Sequence, residues 1–329
     1  MISQLIEQDA RETPDCIKQQ LIENESVAAE LGERLRELSP KFILMVGRGS
    51  SDHAGVFGKY LIEIEMSTPV VAAAPSVKTV YSCELNLAGS AVILISQSGK
   101  ASDILSQAEM AKKQGALCIA LVNDEASPLV QLADVILPLK SGQEQALVAT
   151  KSYLATLSAL LQLVAHWKND SELISDVNKL PTMLANTASE SAQLKPSTFK
   201  AVKSLVVMGR GFGYALAREV ALKLKQVCVI QAEAYSSEEF LHGSEALIAD
   251  GLHIISLDLK DESKKSHDQQ VCEFKLRGAN VSHMTPTSRY IPNRIAPLTL
   301  LLRFYIDIAL IAAAKECDLV PEVELSKAS

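Results

Sequence analysis

The sequence repeats itself at about half its length. Met45-Val46-Gly47-Arg48-Gly49 returns as Val207-Met208-Gly209-Arg210-Gly211, an offset of 162 residues. The same offset lays residues 254–257 over 92–95, and Lys113-Gln114-Gly115-Ala116 is answered by Leu276-Arg277-Gly278-Ala279 at 163. Three matches at nearly one spacing point to a duplicated unit. Short, β-branched apolar runs at 42–46, 69–73, 91–95, 116–122 and 135–138 read as strands, and helical spacing fills the intervals between them. That alternation predicts an α/β chain, each copy a parallel sheet flanked by helices. The expected division is a helical segment at 1–40 broken at Pro14, a first domain at 41–168 and a polar helical connection at 169–197. A second domain at 198–316 and a C-terminal tail at 317–329 complete it.

One stretch inside the first copy carries chemistry. The buried-strand run ending at Ile95 breaks into Ser96-Gln97-Ser98-Gly99-Lys100-Ala101-Ser102, after which Ile104, Leu105, Ala108 and Ala111 take helical spacing. A strand that opens through hydroxyls and glycine into a helix presents free backbone N–H groups and a positive dipole end. Both suit a phosphate ester. The alternative is a plain turn in which Ser98 or Ser102 caps the helix. The duplication supplies a control, because the second copy has Asp258-Leu259-Lys260-Asp261 at the same offset. Acidic residues without glycine would repel a phosphate, so one copy is expected to bind it and the other to do something else.

A net charge of −7 and the lack of a dense Lys/Arg cluster exclude a nucleic-acid footprint. The six cysteines have no CxxC spacing, which argues against structural zinc and a disulfide framework. The start, Met1-Ile2-Ser3-Gln4, has no basic, apolar leader, and the most apolar stretch, 295–314, is interrupted by Arg303 and Asp307. The expectation is a soluble cytoplasmic protein with no membrane partner, no metal and no cofactor.

Further motifs extend over almost the whole chain: Gly49-Ser50-Ser51, Gly142-Gln143-Glu144 leading into Thr150-Lys151, Ala221-Leu222-Lys223-Leu224-Lys225, Ala232-Glu233-Ala234-Tyr235, Glu239-Phe240-Leu241-His242-Gly243 and Leu325-Ser326-Lys327. Together with Ser96-Gln97-Ser98-Gly99 they resemble the sugar-isomerase (SIS) family, specifically the double-SIS isomerase half of glucosamine-6-phosphate synthase. Among stand-alone chains, the resemblance is to SIS-type glucosamine-6-phosphate deaminases. It implies two tandem SIS domains and a phosphate held by Ser51, Ser96, Gln97 and Ser98. Where the family has Glu-Thr after this loop the chain has Lys100-Ala101, and the hydroxyl returns at Ser102, which becomes the expected further donor, with Lys100 as an electrostatic candidate.

The resemblance also implies that His242 opens the sugar ring from a neighbouring subunit, which means a homodimer with shared active sites. Lys327 is expected to fold over C1 and C2 of the sugar. At the position of the family's general base stands Gln226, and an amide cannot take a proton. Gln226 is therefore expected to bind substrate, and Glu239, or His242 in a second role, to move the proton. Glu219 shares a helical face with Lys223 and Gln226, where it is either a nearby carboxylate or simply the partner of Lys223. No stretch resembles the glutaminase domain of the synthase. The implied activity is isomerising deamination of glucosamine 6-phosphate to fructose 6-phosphate and ammonia. The alternatives are a fructosamine-6-phosphate deglycase, another phosphosugar aldose–ketose isomerase, or a non-catalytic sugar-phosphate sensor.

Overall fold

A computed structural model describes residues 2–241, 247–248, 251–288 and 290–317. After a long helix α1 (Ile2–Leu38), strand and helix alternate through β1 (Ile43–Val46), α2 (Ser50–Met66), β2 (Val70–Ala72), α3 (Ser76–Thr79), β3 (Ala91–Ile95) and α4 (Ser102–Lys113). Then come β4 (Leu117–Val122), α5 (Pro128–Leu132), β5 (Val135–Pro138), α6 (Lys151–Lys168) and α7 (Ser171–Ala188). The second half holds α8 (Pro196–Phe199), β6 (Ser204–Gly209), α9 (Phe212–Cys228), β7 (Gln231–Ser236), a 3-10 turn (Glu239–Leu241), β8 (His253–Leu257), α10 (Lys264–Leu276), β9 (Asn280–Met284) and α11 (Ala296–Ala314).

The strands form two parallel sheets, ordered β2-β1-β3-β4-β5 and β7-β6-β8-β9. The repeat read from sequence is repeated in the pairing. Leu44 opposes Val92 in the first sheet and Val206 opposes Ile254 in the second. Ile43 opposes Val70 as Leu205 opposes Ala232. The step from 162 to 163 falls between the third and fourth strands, since Ala91 opposes Leu117 and His253 opposes Asn280. β3 and β4 are buried along their whole length, as their unbroken apolar runs require of strands covered on both faces.

Two compact units result, and they interleave along the chain. The first unit comprises residues 15–143 and 151–181 and contains the first sheet. The second comprises residues 2–14, 144–150 and the described residues from Thr182 onward, with the second sheet. Two of the four exchanges among the described residues follow Pro14 and Pro181, both inside helices, and the other two bound the loop 144–150.

One expectation about helices is corrected, and a second apolar segment stays out of helix. α1 is not broken at Pro14. A buried proline costs roughly 3 kcal/mol of helix, but Ile6, Ala10, Ile17, Leu21, Ala28, Leu31 and Leu35 keep one buried stripe on both sides of it. Thr13 Oγ1 also donates to the Asp9 carbonyl, 3.2 Å away. The apolar run from Ala146 does not start a helix, which begins only at Lys151. Asp9 accepts the N–H groups of Gln145 and Ala146 (2.9 and 2.8 Å), and Glu144 accepts both the N–H and the hydroxyl of Thr150, holding 144–150 as a loop.

In the second unit, α11 is long and apolar enough to cross a membrane but packs as a core helix. Its buried Arg303 and Asp307 pair at 2.8 Å, and Asp307 also accepts the N–H groups of Gln193 and Leu194, both at 2.9 Å. Burial pushes the Cys118 and Cys228 thiols up to about 11 and about 12, so both act as small apolar side chains.

Candidate functional site

In an open parallel sheet, ligands bind beyond the carboxyl ends of the strands where the order reverses. In the first unit that point lies between β1 and β3, and the loops 47–49 and 96–101 leave it into α2 and α4. Ser51 stands in the first turn of α2. Ser96, Gln97 and Ser98 leave β3, and Ser102 opens α4. The structure thus places all five expected phosphate-binding residues in one unit at one switch point.

Neither serine of the alternative reading caps α4. The cap position is Ala101, which makes no side-chain capping bond. Among the described residues the backbone N–H groups of Ser98, Ser102 and Asp103 have no hydrogen-bond acceptor, as a docking place for an anion requires. Other groups of the loop are tied down. Ser96 Oγ accepts the Gly99 N–H at 3.2 Å, and the Gln97 carbonyl accepts the N–H groups of Asn123 and Asp124 at 3.0 and 3.3 Å. The Gly99 carbonyl accepts from Leu129 at 3.2 Å. Gly99 has φ +60°, and a Cβ there would lie 2.1 Å from Ser127 Oγ, so only glycine fits. Ser98 and Ser102 are exposed, and Ser96 is buried.

Charge is arranged around this cradle in pairs that sequence reasoning did not find. Arg48 Nη1 lies 2.5 Å from Asp103 Oδ2 and joins the loop after β1 to the first turn of α4. Lys100 Nζ lies 2.8 Å from Asp124, whose carboxyl is held below the usual carboxylate range by that ammonium and by the Ala126 N–H. Nothing in the local spacing around Lys100 announces a carboxylate 24 positions on.

The corresponding point of the second unit lies between β6 and β8. Asp258 stands where the first unit has Ser96, and the protein itself supplies its partners. Ser256 Oγ donates to Asp258, His283 Nδ1 lies 2.6 Å away, and His267 Nε2 lies 3.3 Å from Asp258 and 2.9 Å from Ser256 Oγ. Burial pushes the Asp258 carboxyl up, but the bonds from His267, His283 and Ser256 outweigh it and hold the group well below the carboxylate range. The offset alone aligns Ser96 with Asp258, so the carboxylate was visible in sequence; its two histidines were not.

The other expected residues belong to the second unit or lie outside the described residues. Gln226 is exposed in the last turn of α9, and its Oε1 accepts from Lys223 Nζ at 3.2 Å. Lys223 is buried and paired at 2.9 Å with Glu219, which is also buried and accepts from Tyr305 at 3.4 Å. Glu219 is thus the partner of Lys223. Glu239 is exposed in the 3-10 turn after β7, and its neighbour Glu238 pairs with Arg210 at 2.7 Å. His242 and Lys327 lie outside the described residues. Among the described residues no group of three or more His, Cys, Asp or Glu side chains is arranged to hold a metal ion.

Comparison with known proteins agrees with this architecture. The profile of the SIS domain matches residues 38–166 and 198–290. A glutamine–fructose-6-phosphate aminotransferase (isomerizing) from Caldanaerobacter subterraneus subsp. tengcongensis is 30% identical over 99% of this chain and 58% of its own length. The chain spans about half the length of the curated relatives it matches. A Silicibacter pomeroyi DSS-3 protein assigned as a phosphosugar isomerase is 30% identical, with a TM-score of 0.90 over 95% of this chain and 98% of that one. The C-terminal domain of glucosamine-fructose-6-phosphate aminotransferase from Francisella tularensis is 25% identical, with a TM-score of 0.79 over 95% and 96% of the two chains.

Proposed function

The chain belongs to the SIS-domain family, and from that membership we propose that it converts glucosamine 6-phosphate and water to fructose 6-phosphate and ammonia. The observation that carries the reading is the cradle between β1 and β3, where hydroxyls and unpartnered N–H groups converge at a helix N-terminus, as a phosphate ester requires. Relatives whose names join fructose 6-phosphate to amino transfer support the choice of an amino sugar.

Phosphate binding at Ser51, Ser96, Gln97, Ser98 and Ser102 would anchor the sugar and leave C1 and C2 free to react. A proton transfer between O1 and O5, assigned to His242, opens the ring. A proton then leaves C2 and returns at C1 through an enolamine. Water hydrolyses the resulting C2 imine, releasing ammonia and the ketose. Glu239 is assigned the C2 proton, Lys327 the neighbourhood of C1 and C2, and Gln226 a hydrogen bond to substrate. A homodimer in which one subunit lends His242 to the other completes the proposal.

One observation favours a second reading. Gln226 occupies the family's base position and is already engaged by Lys223, which suits a protein that senses a sugar phosphate without turning it over. Ammonia release, with deuterium uptake at C2 followed by NMR in heavy water, separates the two. The expected result is exchange and ammonia in the wild type, with exchange lost in Glu239→Gln. Binding without exchange would establish the sensor instead. Consumption of fructosamine 6-phosphate but not glucosamine 6-phosphate would point to a deglycase.

A further inference from the structure

The hydroxyls and N–H groups of the cradle carry no formal charge, whereas a phosphate monoester near neutrality is close to a dianion. Of the two cations beside the loop, Lys100 is directed to Asp124. Arg48 is different. Its contact with Asp103 crosses from one loop of the switch point to the other, and its side chain remains 67% exposed while that of Asp103 is 15% exposed. Asp103 is fixed from a second side, because its Oδ1 accepts the Ile104 N–H at 3.0 Å. The carboxylate therefore holds the guanidinium at the first turn of α4, beside the unpartnered N–H groups of Ser102 and Asp103. One Nη1 contact leaves other N–H donors of the fork for a ligand.

The second copy shows that this bridge is not a by-product of the repeat. Arg210 stands at the position of Arg48, but the position of Asp103 is taken by Lys265, and Arg210 pairs with Glu238 beyond β7. Arg48 thus reaches the first turn of α4 in the copy that has the serine loop, whereas Arg210 pairs beyond β7 rather than at the first turn of α10. We infer that Arg48 binds the phosphate of the substrate as its charged ligand, and that Asp103 is the positioning residue that aims it. The inference rests on reading the cradle as a phosphate site.

Calorimetric titration with fructose 6-phosphate, and with inorganic phosphate as competitor, tests it on the full chain. Arg48→Gln is expected to raise Kd by roughly tenfold to a hundredfold, the loss of a charge-assisted contact, and to weaken inorganic phosphate by a similar factor. Arg48→Lys should recover part of the loss. Asp103→Asn should weaken binding less, and add nothing once Arg48 is already Gln, whereas a merely structural role would leave the two effects additive. Binding unchanged in Arg48→Gln, while Ser96→Ala/Ser98→Ala weakens it, would overturn the inference and leave the phosphate site standing. Tighter binding in Asp103→Asn would show that Asp103 competes for the guanidinium and would overturn its positioning role. If the serine double variant binds normally, the phosphate reading itself fails, and the inference with it.

Discussion

The two switch points share a backbone and differ in nearly everything that stands on it. Gly49 and Gly211 have the same conformation (φ 56°, ψ −126° and φ 56°, ψ −123°), and each opens a 17-residue helix. The registers of the flanking strands coincide at the repeat offset. Yet the loop after β3 leaves N–H groups open, while the loop after β8 begins with Asp258, an anion of the protein's own already surrounded by a serine and two histidines. The lesson is that the sheet specifies where a ligand could sit, and a handful of loop residues decide whether that place is offered to solvent or closed internally. The helices diverge in the same way. α2 buries Phe57 and Leu61 where α9 buries the Glu219–Lys223 pair.

That last contrast gives the largest expected effect. Glu219→Leu should cost roughly 3–5 kcal/mol, because it leaves the Lys223 charge buried without its carboxylate. Copying the first helix with Glu219→Phe/Lys223→Leu should recover much of that loss, since a buried ion pair and an apolar pair of similar volume are often comparable in stability. Urea unfolding measures both. A double variant no better than the single one would mean that the two helices are not interchangeable in packing.

Next comes the cradle. Ser96→Ala/Ser98→Ala should weaken fructose 6-phosphate binding by about 1–3 kcal/mol, the cost of lost bonds to a charged ligand. The corresponding second-copy change, Asp258→Asn, should leave it unchanged. Calorimetry on the two proteins decides whether the two loops differ in function as they do in chemistry.

Asp258 should show itself in acid. Its folded-state pKa lies below the unfolded value of about 3.9, so its contribution is fully present above that pH and is lost as the pH falls toward the folded value. Asp258→Asn should therefore cost about 1–3 kcal/mol at pH 7 and progressively less toward pH 3, in denaturant melts at the two pH values. A penalty that does not change with pH would assign the loss to packing rather than to the charge. The smallest effect belongs to Arg210. Its pair with Glu238 is partly exposed, so Arg210→Gln should shift stability by less than about 1 kcal/mol in a thermal melt and leave sugar-phosphate binding alone, in contrast with Arg48→Gln.

Much of this was legible in the chain because the strands are buried on both faces. Val92 to Ile95 and Leu117 to Val122 must be apolar at every position, and such runs stand out without knowledge of their neighbours. The place of Ser96, Ser98 and Ser102 was likewise legible, since the end of a buried strand and the start of a helix are local events, whereas Gln97 and Ser51 entered only through the family resemblance. The segment at 144–150 was not. Its apolar residues suit a helix, and only Asp9, more than 130 positions earlier, takes the N–H groups of Gln145 and Ala146 and keeps them out of one. Pro14 misled in the opposite direction, because a local penalty was outweighed by a buried stripe continuing beyond it.

By itself, then, the sequence determined the duplication, the parallel α/β architecture and the position of the serine loop, all of which follow from periodicity and from a spacing of 162 residues. The tertiary structure decided the partners. Arg48 and Arg210 sit in nearly identical pentapeptides, yet one meets Asp103, 55 positions on, and the other Glu238, 28 positions on. Apolar burial is non-directional and leaves a pattern in the chain, whereas an ion pair depends on distances of a few ångströms between residues that only folding brings together.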